Sequence, residues 1–286
     1  MKKETTIAFI GAGSMAEALI AGMTKTLYRP EQIIVTNRCN QERLRYMKET
    51  YGVQIETNKE KALKAADIII LAMKPKDAME GIVSIATDVS EHHLVISVLA
   101  GVSTDTIMSL IGKKVSIVRA MPNTSATIGQ SATALALGRF ANEEHLAIAE
   151  TLFRTVGIVT VVSEDDLHAV TGLSGSGPAY VYYLVEAMEK AANEIGLDRS
   201  IAKELILQTI IGAAQMLKTT NKPPSVLRKE VTSPGGTTEA GIQVLEQYHY
   251  QEAVIACIKR ATERSAELGK ALVPTAINRT SASSSR

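Results

Sequence analysis

The chain has no tryptophan, and only 3 phenylalanines and 8 tyrosines among its 286 residues. Aromatic platforms of the kind on which nucleobases stack are therefore excluded. An excess of one charge is missing as well. The 31 basic and 30 acidic residues give a formal net charge of +1, with no long basic run. Neither nucleic acid nor an anionic membrane is an expected partner. Cysteine is scarce: Cys39 and Cys257 lie far apart and follow no metal-ligand spacing. No metal site and no disulfide framework are expected, and a reducing, cytoplasmic setting is. No apolar run is long enough to span a bilayer; the longest, such as 67–73, are strand-sized. Met1-Lys2-Lys3-Glu4 leads toward the first strand without a signal-peptide pattern.

What is present is a chain with enough apolar residues for one large core or two ordinary domains. Strands are expected at 6–10, 33–36, 53–55, 67–72, 94–98, 115–119, 131–137 and 158–162. They are continuous β-branched runs rather than alternating ones, the mark of a sheet buried on both faces. Their alternation with helical patterns predicts a doubly wound parallel sheet. From Ser163 the character changes. Ser163-Glu164-Asp165-Asp166 is a capping-box pattern, and 180–195, 201–217 and 251–268 are long helical patterns. The expected organisation is a nucleotide-binding domain over 1–162, a helical domain over 163–271 and a disordered tail over 272–286. The helical domain is apolar on more than one face, for instance at Ile206, Leu207, Ile210 and Ile211, which points to a homodimer.

Two glycine-centred stretches carry the chemistry. In Ile10-Gly11-Ala12-Gly13-Ser14-Met15-Ala16 the pattern G-x-G-x-x-A follows the first strand and opens the first helix. Gly11 permits the turn, Gly13 lets the backbone approach a pyrophosphate, and Ala16 allows close helix–strand packing. This is the Rossmann fingerprint. The second strand then ends at Asn37-Arg38, without the acidic residue that usually holds an NAD ribose. Asn37 and Arg38 suit a 2′-phosphate, so the expected cofactor is NADP rather than NAD. Later strand ends supply Ala72-Met73-Lys74-Pro75 and Ala100-Gly101. There Lys74 meets cofactor phosphate or ribose, and Ala100 with Gly101 leaves room for a nicotinamide. Asn58 either caps a short helix or touches the adenine side.

The second stretch reads Val231-Thr232-Ser233-Pro234-Gly235-Gly236-Thr237-Thr238-Glu239. Ser233 suits an N-cap and Pro234 the first helical position, with an apolar helical pattern following. The N–H groups of such a helix start have no intrahelical partner and attract a small anion such as a carboxylate. A tight bend that merely needs glycine would give the same residues.

These two stretches, with Arg119-Ala120-Met121-Pro122-Asn123-Thr124, Leu173-Ser174-Gly175-Ser176-Gly177-Pro178-Ala179-Tyr180 and the Ala72–Pro75 turn, resemble pyrroline-5-carboxylate reductases from about residue 5 to residue 270. The resemblance implies an α/β fold with an N-terminal doubly wound domain and an all-helical dimerisation domain. It implies hydride transfer from NAD(P)H to 1-pyrroline-5-carboxylate, giving L-proline, and an active site shared between subunits. By the same resemblance Ser233, Gly235, Gly236 and Thr237 cradle the substrate carboxylate, and Thr238 hydrogen-bonds the ring nitrogen. Ser176 shapes the pocket or only breaks the helix, and Glu164 faces the substrate region or only favours a helix start. None of the 5 histidines is assigned a catalytic role. Thr220-Asn221-Lys222-Pro223-Pro224 departs from the family, which often carries acidic and histidine residues there. A β-hydroxyacid dehydrogenase would need a lysine early in the helical domain, and the stretch 164–183 has none. A broader imine reductase, or a non-catalytic NADP-binding regulator that keeps the fold, would also fit the first glycine motif.

Overall fold

The strand sequences put apolar side chains on both faces of the backbone, and the central strands of the sheet they form are buried on both sides, while the outermost strands, Gln54–Ile55 and Gly157–Val161, are partly exposed. In the computed structural model, residues 5–272 are described. The expected tail therefore lies outside the described residues, apart from Leu272, which ends the last helix. The chain divides into two compact units, one up to Ser176 together with the chain from Lys259 onward, the other Gly177–Ile258.

The first unit runs β1 (Ile7–Ile10), α1 (Ser14–Thr26), β2 (Ile33–Thr36), α2 (Gln41–Tyr51), β3 (Gln54–Ile55), α3 (Lys59–Ala65), β4 (Ile68–Leu71) and α4 (Ala78–Val83). It continues with β5 (Leu94–Ser97), α5 (Thr104–Ile111), β6 (Ser116–Met121), β7 (Ser131–Leu137), α6 (Glu143–Arg154), β8 (Gly157–Val161) and the single turn α7 (Leu167–Val170). The strands form one sheet in the order β3-β2-β1-β4-β5-β6-β7-β8. Ile7 and Phe9 of β1 face a core layer built with α1, α2 and α6, while Ala8 and Ile10 face a second layer with α3, α4 and α5. One pair departs from the expected parallel sheet: β6 and β7 are antiparallel. Between them lies only a short 3₁₀ turn, Thr124–Ile128. A parallel return needs a crossover of a dozen residues or so, which this connection lacks.

The second unit holds α8 (Gly177–Glu194), α9 (Arg199–Thr220), α10 (Pro224–Glu230), α11 (Thr237–Gln247) and the start of α12 (Tyr250–Leu272). Its buried centre is small: Ala192, Ala202 and Ile206, flanked by Val185, Met188 and Ile210. Large apolar side chains stay outside it, with Tyr183 75% and Ile211 60% exposed. No helix among the described residues is long and apolar enough to cross a membrane.

The change of character at Ser163 marks the end of the sheet, and the compact units part further on. Leu167 of α7 still packs on Ala134 and Ala136 of β7. A π-helical turn, Thr171–Gly175, follows it within the first unit. The end of α12 belongs to the first unit as well, where His168 Nδ1 and Ser265 Oγ lie 2.9 Å apart.

A buried polar cluster ties these parts together. Arg119 of β6 has a side chain only 3% exposed, and its Nη1 lies 3.3 Å from Glu164 Oε1. Glu164 also accepts hydrogen bonds from the Thr104 backbone N–H (2.7 Å) and hydroxyl (2.5 Å) at the start of α5. Arg119 Nη2 has no partner among the described residues. Burial depresses the guanidinium pKa, and Glu164 opposes that shift. Removing Glu164 leaves a buried cation without its counter-charge. Glu164→Ala is expected to cost about 3 kcal/mol of stability, read as a lower urea midpoint; an unmoved midpoint would show that the pair holds nothing.

Two histidines in this unit have their pKa values lowered. His93 accepts from the Ser90 N–H (2.9 Å) and its Nε2 donates to the Leu63 carbonyl (3.2 Å). Burial lowers its pKa from 6.5, with neighbouring His92 adding to the effect. His168 is lowered by burial and then by Arg119 and Lys270, against Asp165 and Glu164. A folded-state pKa below the unfolded one means that the unfolded chain binds more protons. This contribution is complete above the ordinary value of 6.5 and is lost as pH falls through it toward the depressed values. The thermal midpoint is expected to drop between about pH 7.5 and pH 5, and His93→Gln to flatten that slope. Equal slopes would remove His93 from the account.

Candidate active site

The turn between β1 and α1 is fixed by crowding. Gly11 has φ +112°, and a Cβ there would lie 2.7 Å from the backbone of Ala72, so only glycine fits. Its N–H donates to the Thr36 carbonyl across the carboxyl edge of the sheet (3.0 Å). Gly13 then caps α1 in an extended conformation with no side-chain hydrogen bond. The N–H groups of the first turn are left for a ligand, at the positive end of the helix dipole.

These groups open onto a cavity of about 760 Å³. Residues 10–14, 37–38 and 72–74 line it, which places Ile10, Gly11, Ala12, Gly13, Ser14, Asn37, Arg38, Ala72, Met73 and Lys74 around one space. The remaining expected cofactor residues are not among its lining. Met15 packs against the core. Pro75 opens a 3₁₀ turn. Asn58 caps α3 by accepting from the Lys61 N–H (3.2 Å), the first of its two anticipated roles. Ala100 and Gly101 follow β5, where Gly101 is pressed against α12; its added Cβ would lie 3.3 Å from the Gly269 nitrogen.

Several lining residues carry no motif signal. Arg43 donates to the Ala12 carbonyl (2.7 Å) and pairs with Glu17. Glu17 also accepts from the Tyr46 and Tyr51 hydroxyls, each at 2.9 Å. Burial works to raise the Glu17 pKa, but the hydrogen bonds from Arg43, Tyr46 and Tyr51 outweigh it and the net shift is downward. Lys59, Lys76 and Glu80 face the same space, and Arg38 pairs with Glu80. Asn37 Oδ1 accepts from the Cys39 and Asn40 N–H groups (3.2 and 3.3 Å), so it shapes its own loop. The volume, the uncapped helix start and the surrounding cations fit a dinucleotide phosphate.

In the second unit the late glycine stretch forms a turn, with the helix delayed. The Gly236 N–H donates to the Ser233 carbonyl (3.0 Å), and Gly235 has φ +70°. Proline followed by a left-handed glycine is a type II turn. Ser233 is therefore not the N-cap and Pro234 not the first helical residue. Gly236 caps α11, again without a side-chain hydrogen bond, and Thr237 and Thr238 are its first residues. The Gly235 N–H already holds a carboxylate oxygen, that of Glu239, at 2.7 Å. Ser176 lies at the end of the π-helical turn, where its N–H donates to the Thr171 carbonyl (2.9 Å). Glu164 is engaged by Thr104 and Arg119, as described above.

Comparison with known proteins fits both halves. Residues 164–268 match the family described as pyrroline-5-carboxylate reductase dimerisation. Residues 6–101 match the family described as NADP oxidoreductase, coenzyme F420-dependent. The chain is 49% identical to pyrroline-5-carboxylate reductase 2 of Bacillus subtilis, over 98% of this chain and 99% of that one. Among solved structures it resembles a pyrroline-5-carboxylate reductase from Coxiella burnetii, with a TM-score of 0.85 and 39% identity over 92% of this chain and 98% of that chain. It also resembles the Plasmodium falciparum pyrroline carboxylate reductase with NADP bound, with a TM-score of 0.86 and 28% identity over 93% and 99%. The chain therefore belongs to the pyrroline-5-carboxylate reductase family, oxidoreductases that use a nicotinamide cofactor to reduce 1-pyrroline-5-carboxylate to L-proline in proline biosynthesis.

Proposed function

We propose that the chain uses NADPH in preference to NADH, and that a cytoplasmic homodimer brings the nucleotide domain of one subunit to the helical domain of its partner. The observation that carries the division of labour is the pair of glycine-capped helix starts, α1 in one unit and α11 in the other. Each leaves unclaimed N–H donors suited to an anion, a pyrophosphate in the first case and a carboxylate in the second. The exposed apolar faces of the second unit support assembly through its helices. Exposed, unpaired Cys39 and Cys257 support a reducing setting.

When bound, the nicotinamide supplies the hydride to the C=N carbon. The chain's own residues bind and orient. Residues 11–14 hold the pyrophosphate against the start of α1. Lys74 neutralises phosphate charge or reaches the ribose, and Arg38 faces the adenosine 2′-phosphate. Ala100, in the loop after β5 and outside the lining of the cavity, borders the nicotinamide only when the dinucleotide extends past it, and Gly101 is packed on α12. A dinucleotide lying along this edge starts from the switch point between β1 and β4.

In the second unit the Ser233–Gly236 turn and the first N–H groups of α11 hold the substrate carboxylate. The Gly235 N–H is held by Glu239 and the Gly236 N–H by Ser233, so the donors offered to the carboxylate are those of Thr237 and Thr238, with Gly235 joining them when Glu239 turns away. The Thr238 hydroxyl hydrogen-bonds the ring nitrogen and fixes the face presented to the hydride. Reduction of an imine consumes one hydride and one proton. The nitrogen is basic enough to take its proton from solvent, so no histidine or lysine is assigned as a base.

The first test is cofactor oxidation with racemic 1-pyrroline-5-carboxylate, NADPH and NADH run side by side, with proline measured as product. Faster turnover with NADPH is expected; equal or faster turnover with NADH would overturn the preference. Thr238→Ala is expected to lower kcat by about tenfold to a hundredfold while leaving the NADPH dissociation constant in place. An unchanged kcat would remove the contact to the ring nitrogen.

A further inference from the structure

The residues around the adenosine end of the cleft are arranged for a choice between two cofactors. The end of β2 offers no free acceptor for a ribose hydroxyl. The Thr36 hydroxyl donates to the Phe9 carbonyl (3.2 Å) and is buried. Asn37 Oδ1 is occupied by two backbone N–H groups. Arg38 has only donors. From the sequence, this end of the site has no carboxylate.

The fold supplies two from the other side, Asp77 and Glu80, of which Glu80 is the one paired with Arg38. Glu80 lies on α4, which follows β4, and it lines the same cavity as Arg38. Strands β2 and β4 flank β1 on either side. The Arg38–Glu80 ion pair therefore joins the segment after β2 to the helix after β4, on the two sides of β1. A second link runs the same way, from Lys59 Nζ to Ser84 Oγ (2.7 Å) at the end of α4. Both partners of the ion pair are largely exposed, with side chains 63% and 67% accessible, so the pair is open to exchange with a ligand. The other carboxylate that faces the cavity with fixed partners, Glu17, is held by Arg43, Tyr46 and Tyr51.

We infer that Glu80 is a specificity-determining residue that admits NADH: its carboxylate accepts the adenosine ribose hydroxyl and competes with a 2′-phosphate for Arg38. This rests on the cofactor site proposed above. A ribose bearing a free 2′-hydroxyl leaves the Arg38–Glu80 pair intact and gains an acceptor. A 2′-phosphate takes Arg38 for itself, breaks the pair and sits close to the carboxylate's charge. Arg38 thus favours NADPH, and Glu80 limits that advantage. Loss of the Glu80 charge, with its shape kept, should move the two affinities in opposite directions.

The experiment is calorimetric titration of the assembled full-length protein with NADP⁺ and with NAD⁺, for wild type, Glu80→Gln and Arg38→Ala. For Glu80→Gln the dissociation constant of NADP⁺ is expected to fall about threefold and that of NAD⁺ to rise about tenfold. A ratio of the two constants unchanged from wild type would overturn the inference, as would two constants that shift by the same factor in the same direction. Arg38→Ala separates this from the underlying site. It should weaken NADP⁺ far more than NAD⁺. If Arg38→Ala behaves so while Glu80→Gln changes nothing, the cofactor site stands and the role of Glu80 falls. If neither dinucleotide binds the wild-type protein, both fall together.

Discussion

A helix cannot satisfy its own first N–H groups, and how this chain treats that deficit sets out the rest of its structure. Helices α2, α3, α5, α6 and α9 close the deficit with side chains, those of Asn40, Asn58, Ser103, Asn142 and Asp198. Helices α1 and α11 begin on Gly13 and Gly236 and, like the short α4, α7 and α10, have no side-chain cap. Glycine at an N-cap is only a few tenths of a kcal/mol worse than the best caps, so the cost in stability is small. The return is a set of oriented donors at the positive end of a dipole, which costs no reorganisation when an anion arrives.

Such donors are useful only if their position is fixed, and here the core fixes it. The first end lies over β1, a strand with both faces buried. Gly11 is wedged against the backbone of Ala72 at the end of β4, so the turn cannot shift without moving the sheet. The second end is fixed locally by a type II turn and by Glu239 reaching back to the Gly235 N–H. In the first unit long-range packing holds the donors. In the second a few residues of turn chemistry do so.

That difference explains how much the sequence disclosed. The eight strands lie where the sequence predicts them; for β1, β2, β4 and β5 burial on both faces leaves an unambiguous apolar run, whereas the outermost strands β3 and β8 are partly exposed. The first glycine motif is legible for the same reason: its strand–turn–helix context is local. The second is legible as a helix start but not in its register. Proline suits both the first residue of a helix and the second of a turn, and only the left-handed Gly235 decides between them. Helix α10 leaves no clear mark in the sequence because Pro223 and Pro224 suggest a break, yet Pro224 opens that helix. The pairings of Glu164, Glu80 and Arg43 are beyond sequence reasoning altogether. Their partners, Arg119 and Thr104, Arg38, and Glu17, are brought to them by the sheet from distant parts of the chain.

The small centre of the second unit leaves apolar faces for a partner to cover. Its interior is three buried residues and their flanks, while Tyr183, Ile211 and Tyr248 stand in solvent on the isolated chain. A unit of this size with so little apolar burial gains less against the entropy of ordering its helices than one with a full core. Covering those faces with a second copy supplies the missing burial, in keeping with the dimerisation family that residues 164–268 match. The turn that holds the proposed carboxylate site sits between α10 and α11 of this same unit. Its local geometry is set by the Gly236 to Ser233 and Gly235 to Glu239 contacts, and the helices that flank it carry the exposed apolar faces. Under the proposed arrangement across subunits, one contact does two tasks. It stabilises the helical domain, and it completes a site whose cofactor half is already held rigid by the sheet.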